Sequence, residues 1–69
     1  MIVKVTEIVD PECNFLTRGK KYEAYDIFKW EGEIVSYNIL DDDGDELYCW
    51  MRSPRPWAKF QVIPSVVVH

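Results

Sequence analysis

The stretch VSYNILDDDGDELYCWM, residues 35–51, decides the fold class. Alternating apolar residues at Val35, Tyr37 and Ile39 and a second apolar run from Leu47 to Met51 flank a cluster of turn formers, which is the pattern of a β-hairpin. Asp43-Gly44 is the expected turn, because a two-residue type I′ turn needs positive φ at both central positions and Asp and Gly tolerate it. Centred there, the turn sets Leu40 opposite Leu47, Ile39 opposite Tyr48, Asn38 opposite Cys49 and Tyr37 opposite Trp50. Val35, Tyr37, Ile39, Tyr48 and Trp50 then share one face, and Ser36, Asn38, Leu40, Leu47, Cys49 and Met51 share the other. The first face carries the large aromatic and β-branched pairs and is the expected core face.

Outward from the hairpin, breakers cut the chain into short apolar segments: Asp10-Pro11, Arg18-Gly19, Glu31-Gly32-Glu33, Ser53-Pro54-Arg55-Pro56 and Pro64. Turn signals roughly every ten residues predict an all-β sandwich or barrel. Ile2, Val3, Val5, Ile8 and Val9 predict a first strand, and Tyr22, Tyr25, Ile27 and Phe28 a second. The hairpin supplies the third and fourth. Phe60, Val62, Ile63 and Val66 to Val68 predict a fifth, which Pro64 ends or pushes to an edge. One short helical turn is expected near Pro56-Trp57-Ala58-Lys59, where proline opens a turn without losing a needed donor.

The chain has 69 residues, 48% of them apolar and 29% charged, with a formal net charge of −4. That length accommodates one domain, residues 1–69, and that apolar content excludes the polar composition of disordered chains. Lys4, Glu7 and Asp10 interrupt the apolar N-terminal stretch, so a mature start is expected, and no run approaches the roughly 20 apolar residues of a membrane-spanning helix. Cys13 and Cys49, 36 positions apart and outside any Cys-x-x-Cys spacing, are expected to be reduced thiols of a cytoplasmic protein.

The segments LTRGKKYEAYDI and YNILDDDGDELYCW, followed by PWAKFQVI, resemble a family of short SH3-like barrel proteins of tailed phages and prophages. That family shows a Leu-Thr-x-Gly-Lys-x-Tyr stretch, a Tyr-x-Ile-x-Asp-Asp-x-Gly hairpin and a final turn leading into the last strand. The similarity spans about Leu16 to Ile63, with Ser53-Pro54-Arg55-Pro56 lengthening the last turn and Val66 to His69 extending the end. It implies an SH3-like five-stranded barrel of phage origin, acting in the host cytoplasm. The family is largely without assigned activity, so the resemblance implies no reaction.

The candidate chemistries fall one by one. Asp41, Asp42, Asp43, Asp45 and Glu46 surround one glycine, but an EF-hand needs its glycine sixth and a glutamate twelfth, whereas counting from Asp41 puts Gly44 fourth and Arg52 twelfth. No metal and no cofactor is expected. Cys13, Cys49 and the single histidine, His69, lack zinc spacing, and no nucleophile, base and orienting group can be assembled from them. A non-enzymatic role follows. Twelve acidic against eight basic side chains disfavour nucleic acid, although Arg18, Lys20 and Lys21, and Arg52, Arg55 and Lys59, form local basic groups. The runner-up function is therefore a nucleic-acid-associated barrel, and the leading one a protein-binding module. Its expected partner-binding residues are the hairpin-tip carboxylates Asp41, Asp42, Asp45 and Glu46, with the loop tryptophans Trp30 and Trp57. Trp57 serves either as a lid on the barrel or as a contact, and the acidic excess serves either solubility or a basic surface on a host protein. The assembly is read as a monomer or a homodimer paired through the edge of the last strand.

Overall fold

In the computed structural model of the protein, residues 1–64 are described, and they form six strands with no helix among them. These are β1 (Ile2–Ile8), β2 (Lys21–Glu23), β3 (Tyr25–Trp30), β4 (Glu33–Leu40), β5 (Glu46–Trp50) and β6 (Ala58–Ile63). They make two three-stranded antiparallel sheets, ordered β2-β1-β6 and β3-β4-β5. The fold is all-β, as the turn spacing predicts.

Period-two alternation in Ile2-Val3-Lys4-Val5 sends Val3 and Val5 to one side of β1, where both are fully buried. Burial of each valine stabilises the fold by roughly 1.5 to 3 kcal/mol. From the other sheet, Tyr37 and Ile39 of β4 enter the same core, joined by Cys13, Leu16, Tyr22, Ala24 and Ala58. Tyr37 meets Phe60 of β6 edge-on, ring centroids 6.1 Å apart, which packs one sheet against the other.

Four expectations are corrected. The predicted second strand is two strands in different sheets. Ala24 donates to the carbonyl of Met1 at the end of the first sheet, and Asp26, at φ 50°, then bends the chain into a bulge of β3, leaving room for six strands instead of five. The expected closed barrel is not formed among the described residues, because β5 and β6 do not pair. The expected helical turn at Pro56–Lys59 is absent too. Trp57 offers its carbonyl to the amides of Val9 and Asp10, at 3.0 and 3.1 Å, so this segment is drawn into the β1–β6 ladder, and Ala58 and Lys59 are already strand. β6 ends at Ile63, immediately before Pro64, and the expected continuation through Val66 to Val68 lies outside the described residues.

The fourth correction concerns the hairpin. It is present, but Ser36 faces Trp50, Tyr37 faces Cys49, Asn38 faces Tyr48 and Ile39 faces Leu47, one residue away from the expected register. Gly44 is at φ 82° while Asp43 keeps a negative φ, so the turn is a three-residue loop, Asp42-Asp43-Gly44, with glycine in the left-handed region. Asp41 is the cause: its carboxylate accepts from the amides of Asp43 and Asp45, both at 2.9 Å, and its amide donates to Asp45 at 2.9 Å. A one-residue slip turns every side chain over, so Leu47 and Cys49 face inward while Tyr48 and Trp50 face solvent. The two-residue turn with positive φ at both positions occurs instead at Glu31-Gly32, between β3 and β4.

A methyl group at Gly44 would meet only open space, so backbone strain alone opposes substitution there. Gly44→Ala is expected to lower stability by about 1 to 2 kcal/mol and Gly44→Asn by less, measured by urea unfolding.

Candidate functional site

Of the five acidic residues at the hairpin tip, Asp42 is engaged inside the molecule. Its amide donates to the carbonyl of Phe15 at 2.9 Å, which brings the tip onto the loop before β2. Its carboxylate there accepts from the Thr17 hydroxyl at 2.7 Å, the Lys20 ammonium at 2.7 Å and the Tyr22 hydroxyl at 2.9 Å. The Tyr22 oxygen in turn accepts from the Thr17 amide at 2.8 Å, so the phenol of a buried ring is satisfied twice. The Lys20 hydrogen bond, followed by that of Thr17, holds the Asp42 carboxyl down to about 2.

The other tip residues divide by role. Asp41 holds the turn, and Glu46 accepts from the Asn38 side chain at 2.9 Å. Among the described residues, the Asp43 and Asp45 carboxylates accept no hydrogen bond. Oxygens of Asp41, Asp43 and Asp45 lie within 4.8 Å of one another, but Asp41 is already committed to two amides, and this is the arrangement an exposed acidic turn presents to water. Turn chemistry alone makes the tip charge look dispensable to the fold. Asp41 and Asp42 are structural instead, and Thr17, Lys20 and Tyr22 are not legible as partners of Asp42 because 20 to 25 positions separate them from it.

The aromatic residues give the larger exposed feature. Trp30 is 65% exposed, Tyr48 63%, Phe28 54% and Trp50 47%. By register, Phe28 and Trp50 flank Ser36 on the outer face of β4, and Tyr48 lies beside Asn38 on the same face. Phe28, Trp30 and Trp50 line one shallow depression with Ile34 and Arg52, bordered by Glu31 and Glu33. Trp57 sits apart. It packs edge-on against Phe15 at 5.4 Å while leaving 42% of its surface exposed, so it covers the core and faces solvent at once. Trp30, expected in a loop, is instead the last residue of β3, where the turn at Glu31-Gly32 leaves it exposed, and Tyr48 and Trp50 are hidden by the register expectation.

A second recess, a cleft of about 510 Å³, separates β5 from β6. Tyr37, Leu47, Cys49 and Phe60 lie along it, with Arg55 and Lys59 as its charged lining residues. The Tyr37 hydroxyl is buried and has no hydrogen-bond partner among the described residues, and burial pushes its ionisation far above the ordinary range for tyrosine. Burial also pushes the Cys49 thiol up to about 11, which makes it a poor nucleophile near neutral pH. Both Cys49 and Cys13 are free thiols.

Compared with known proteins, the chain matches no family model, no curated protein and no solved structure.

Two outcomes are expected here. Asp42 has a folded-state pKa below its unfolded one, so its contribution is complete above pH about 4 and is lost as pH falls through about 2. Asp42→Asn is accordingly expected to be less stable by on the order of 1 kcal/mol at pH about 5, with the gap from the parent closing towards pH 2 in urea titrations. Tyr37→Phe removes a buried hydroxyl that has no partner, and is expected to leave thermal stability unchanged or raise it by up to about 1 kcal/mol.

Proposed function

We propose that the protein is a non-enzymatic protein-binding module of SH3-like build, a phage or prophage accessory protein that docks a host protein in the cytoplasm. The observation that carries this is the cluster of exposed aromatic side chains at Phe28, Trp30, Tyr48 and Trp50 on one sheet. In a chain this small, four large aromatics left outside represent apolar burial forgone, and exposed patches of tryptophan and tyrosine are characteristic of binding surfaces. Glu31 and Glu33 border the depression, and Asp43 and Asp45 add free carboxylates at the hairpin tip, so a partner with a basic rim is favoured over one presenting phosphates. The phage assignment rests on the resemblance across Leu16 to Ile63, and the cytoplasmic one is supported by the free thiols of Cys13 and Cys49. A two-sheet, six-strand form of the SH3-like barrel, open between β5 and β6, accommodates the observed topology.

The test is capture from bacterial lysate on the immobilised full chain, compared with a Trp30→Ala, Trp50→Ala double variant. Both tryptophans are exposed, so the variant is expected to melt like the parent while retaining at least about tenfold less of the partner, with capture by the parent weakened as salt rises from about 50 to 500 mM. Equal capture by the variant would remove the aromatic face from the binding surface. Loss of capture after nuclease treatment would point to nucleic acid.

A further inference from the structure

We propose that the cleft between β5 and β6 receives an extended acidic segment of a partner protein, which adds as a strand to the two facing edges. The cleft shares Trp50 with the aromatic depression, and its charged lining among the described residues, Arg55 and Lys59, is wholly basic, whereas the depression has Glu31 and Glu33 beside Arg52.

Hydrogen-bond parity defines what the edges offer. Met51 donates to Val35 and Asp41 to Asp45, so the odd-numbered residues of β5 bond to β4, and Glu46, Tyr48 and Trp50 turn their amides to the open side. Ser53 takes the Trp50 carbonyl at 3.1 Å, which leaves the Trp50 amide and both backbone groups of Tyr48. On the facing sheet, Val5 gives its amide to Lys20 and its carbonyl to Gly19, so its partner Phe60 has its own N–H and C=O directed away from β1. Trp57 bonds to Val9 across the ladder, which likewise leaves Ala58 facing outward.

The gap excludes direct pairing and leaves room for an inserted strand. No Cα of β5 lies within 8 Å of a Cα of β6. Paired strands sit about 4.8 Å apart, so these edges are too distant to join directly, whereas a strand between them would hold them about 9.5 Å apart.

Composition selects the occupant. The floor, with Tyr37, Leu47, Cys49 and Phe60, accepts apolar side chains, and the Tyr37 hydroxyl, without a partner among the described residues, marks it as incompletely filled. Among the described residues, Arg55 and Lys59 are the charged residues lining the cleft, on a molecule of net charge −4. Lys59 also meets Glu7 at 3.3 Å, but both side chains are exposed and such a pair competes weakly. An extended segment alternating apolar and acidic residues therefore satisfies edges, floor and rim together.

The experiment uses the full chain and a blocked heptapeptide, acetyl-Glu-Val-Glu-Phe-Glu-Val-Glu-amide, read by NMR titration and amide hydrogen exchange. At saturation the amides of Tyr48, Trp50, Ala58 and Phe60 are expected to exchange about tenfold more slowly or better. The peptide with lysine in place of each glutamate, and one N-methylated on alternate amides, are each expected to bind at least about tenfold more weakly, and Arg55→Ser several-fold more weakly. Absence of protection at these four amides overturns the proposal, as does equal binding of the N-methylated peptide. Protection already complete in the free chain overturns it in favour of closure by the chain's own residues, and protection that grows with protein concentration in favour of a second copy. Dependence of lysate capture on Trp30 alone is read separately, because Trp30 lines the aromatic depression and not the cleft, so either surface can fail alone.

Discussion

The Asp41 carboxylate accepts hydrogen bonds from the amides of Asp43 and Asp45, and the inside and outside of β5 follow from that contact. By holding Asp43 at negative φ, it makes the loop three residues long and sets Leu47 and Cys49 towards Tyr37 and Ile39. Tyr48 and Trp50 go to the opposite face for the same reason. Had the turn been one residue shorter, both aromatics would have pointed into the space Tyr37 already occupies. The protein's exposed aromatic surface is therefore a consequence of a carboxylate-to-backbone contact several residues away.

The same turn presents Asp42 to the loop before β2. Its contacts with Thr17, Lys20 and Tyr22 connect the tip of one sheet to the second strand of the other, where the two sheets share no backbone ladder. The buried side chains of β1, β2, β4 and β6 supply the apolar adhesion, and the clamp fixes the relative position at one end. At the other end nothing among the described residues joins β5 to β6. β5 and β6 each leave an unpaired edge on this cleft, and unpaired edges are where strand addition is physically favoured.

Charge is distributed in keeping with this. Glu31 and Glu33 border the aromatic depression beside Arg52 and acidic groups crowd the hairpin tip, while the charged residues lining the cleft, among the described residues, are Arg55 and Lys59. The tip carries more negative charge than a turn needs, yet two of its five carboxylates are used for architecture.

The residue pattern by itself determined the all-β class, the first strand and the 35–51 hairpin, since alternation, β-branched content and turn formers are local properties that hold in any packing. It also identified Asp41, Asp42, Asp45 and Glu46 as an unusual concentration of charge, without showing that Asp41 builds the turn and Asp42 ties the sheets. Tertiary structure alone decided the register of β5, the division of the Tyr22–Phe28 segment between two sheets, and the gap between β5 and β6. Each depends on a choice between conformations that the local sequence allows almost equally. Asp43-Gly44 is compatible with a two- or a three-residue turn, and Pro56–Lys59 with a helical turn or a strand start. The deciding energies come from partners far along the chain, such as Asp42 with Lys20 or Trp57 with Val9, which no local periodicity encodes.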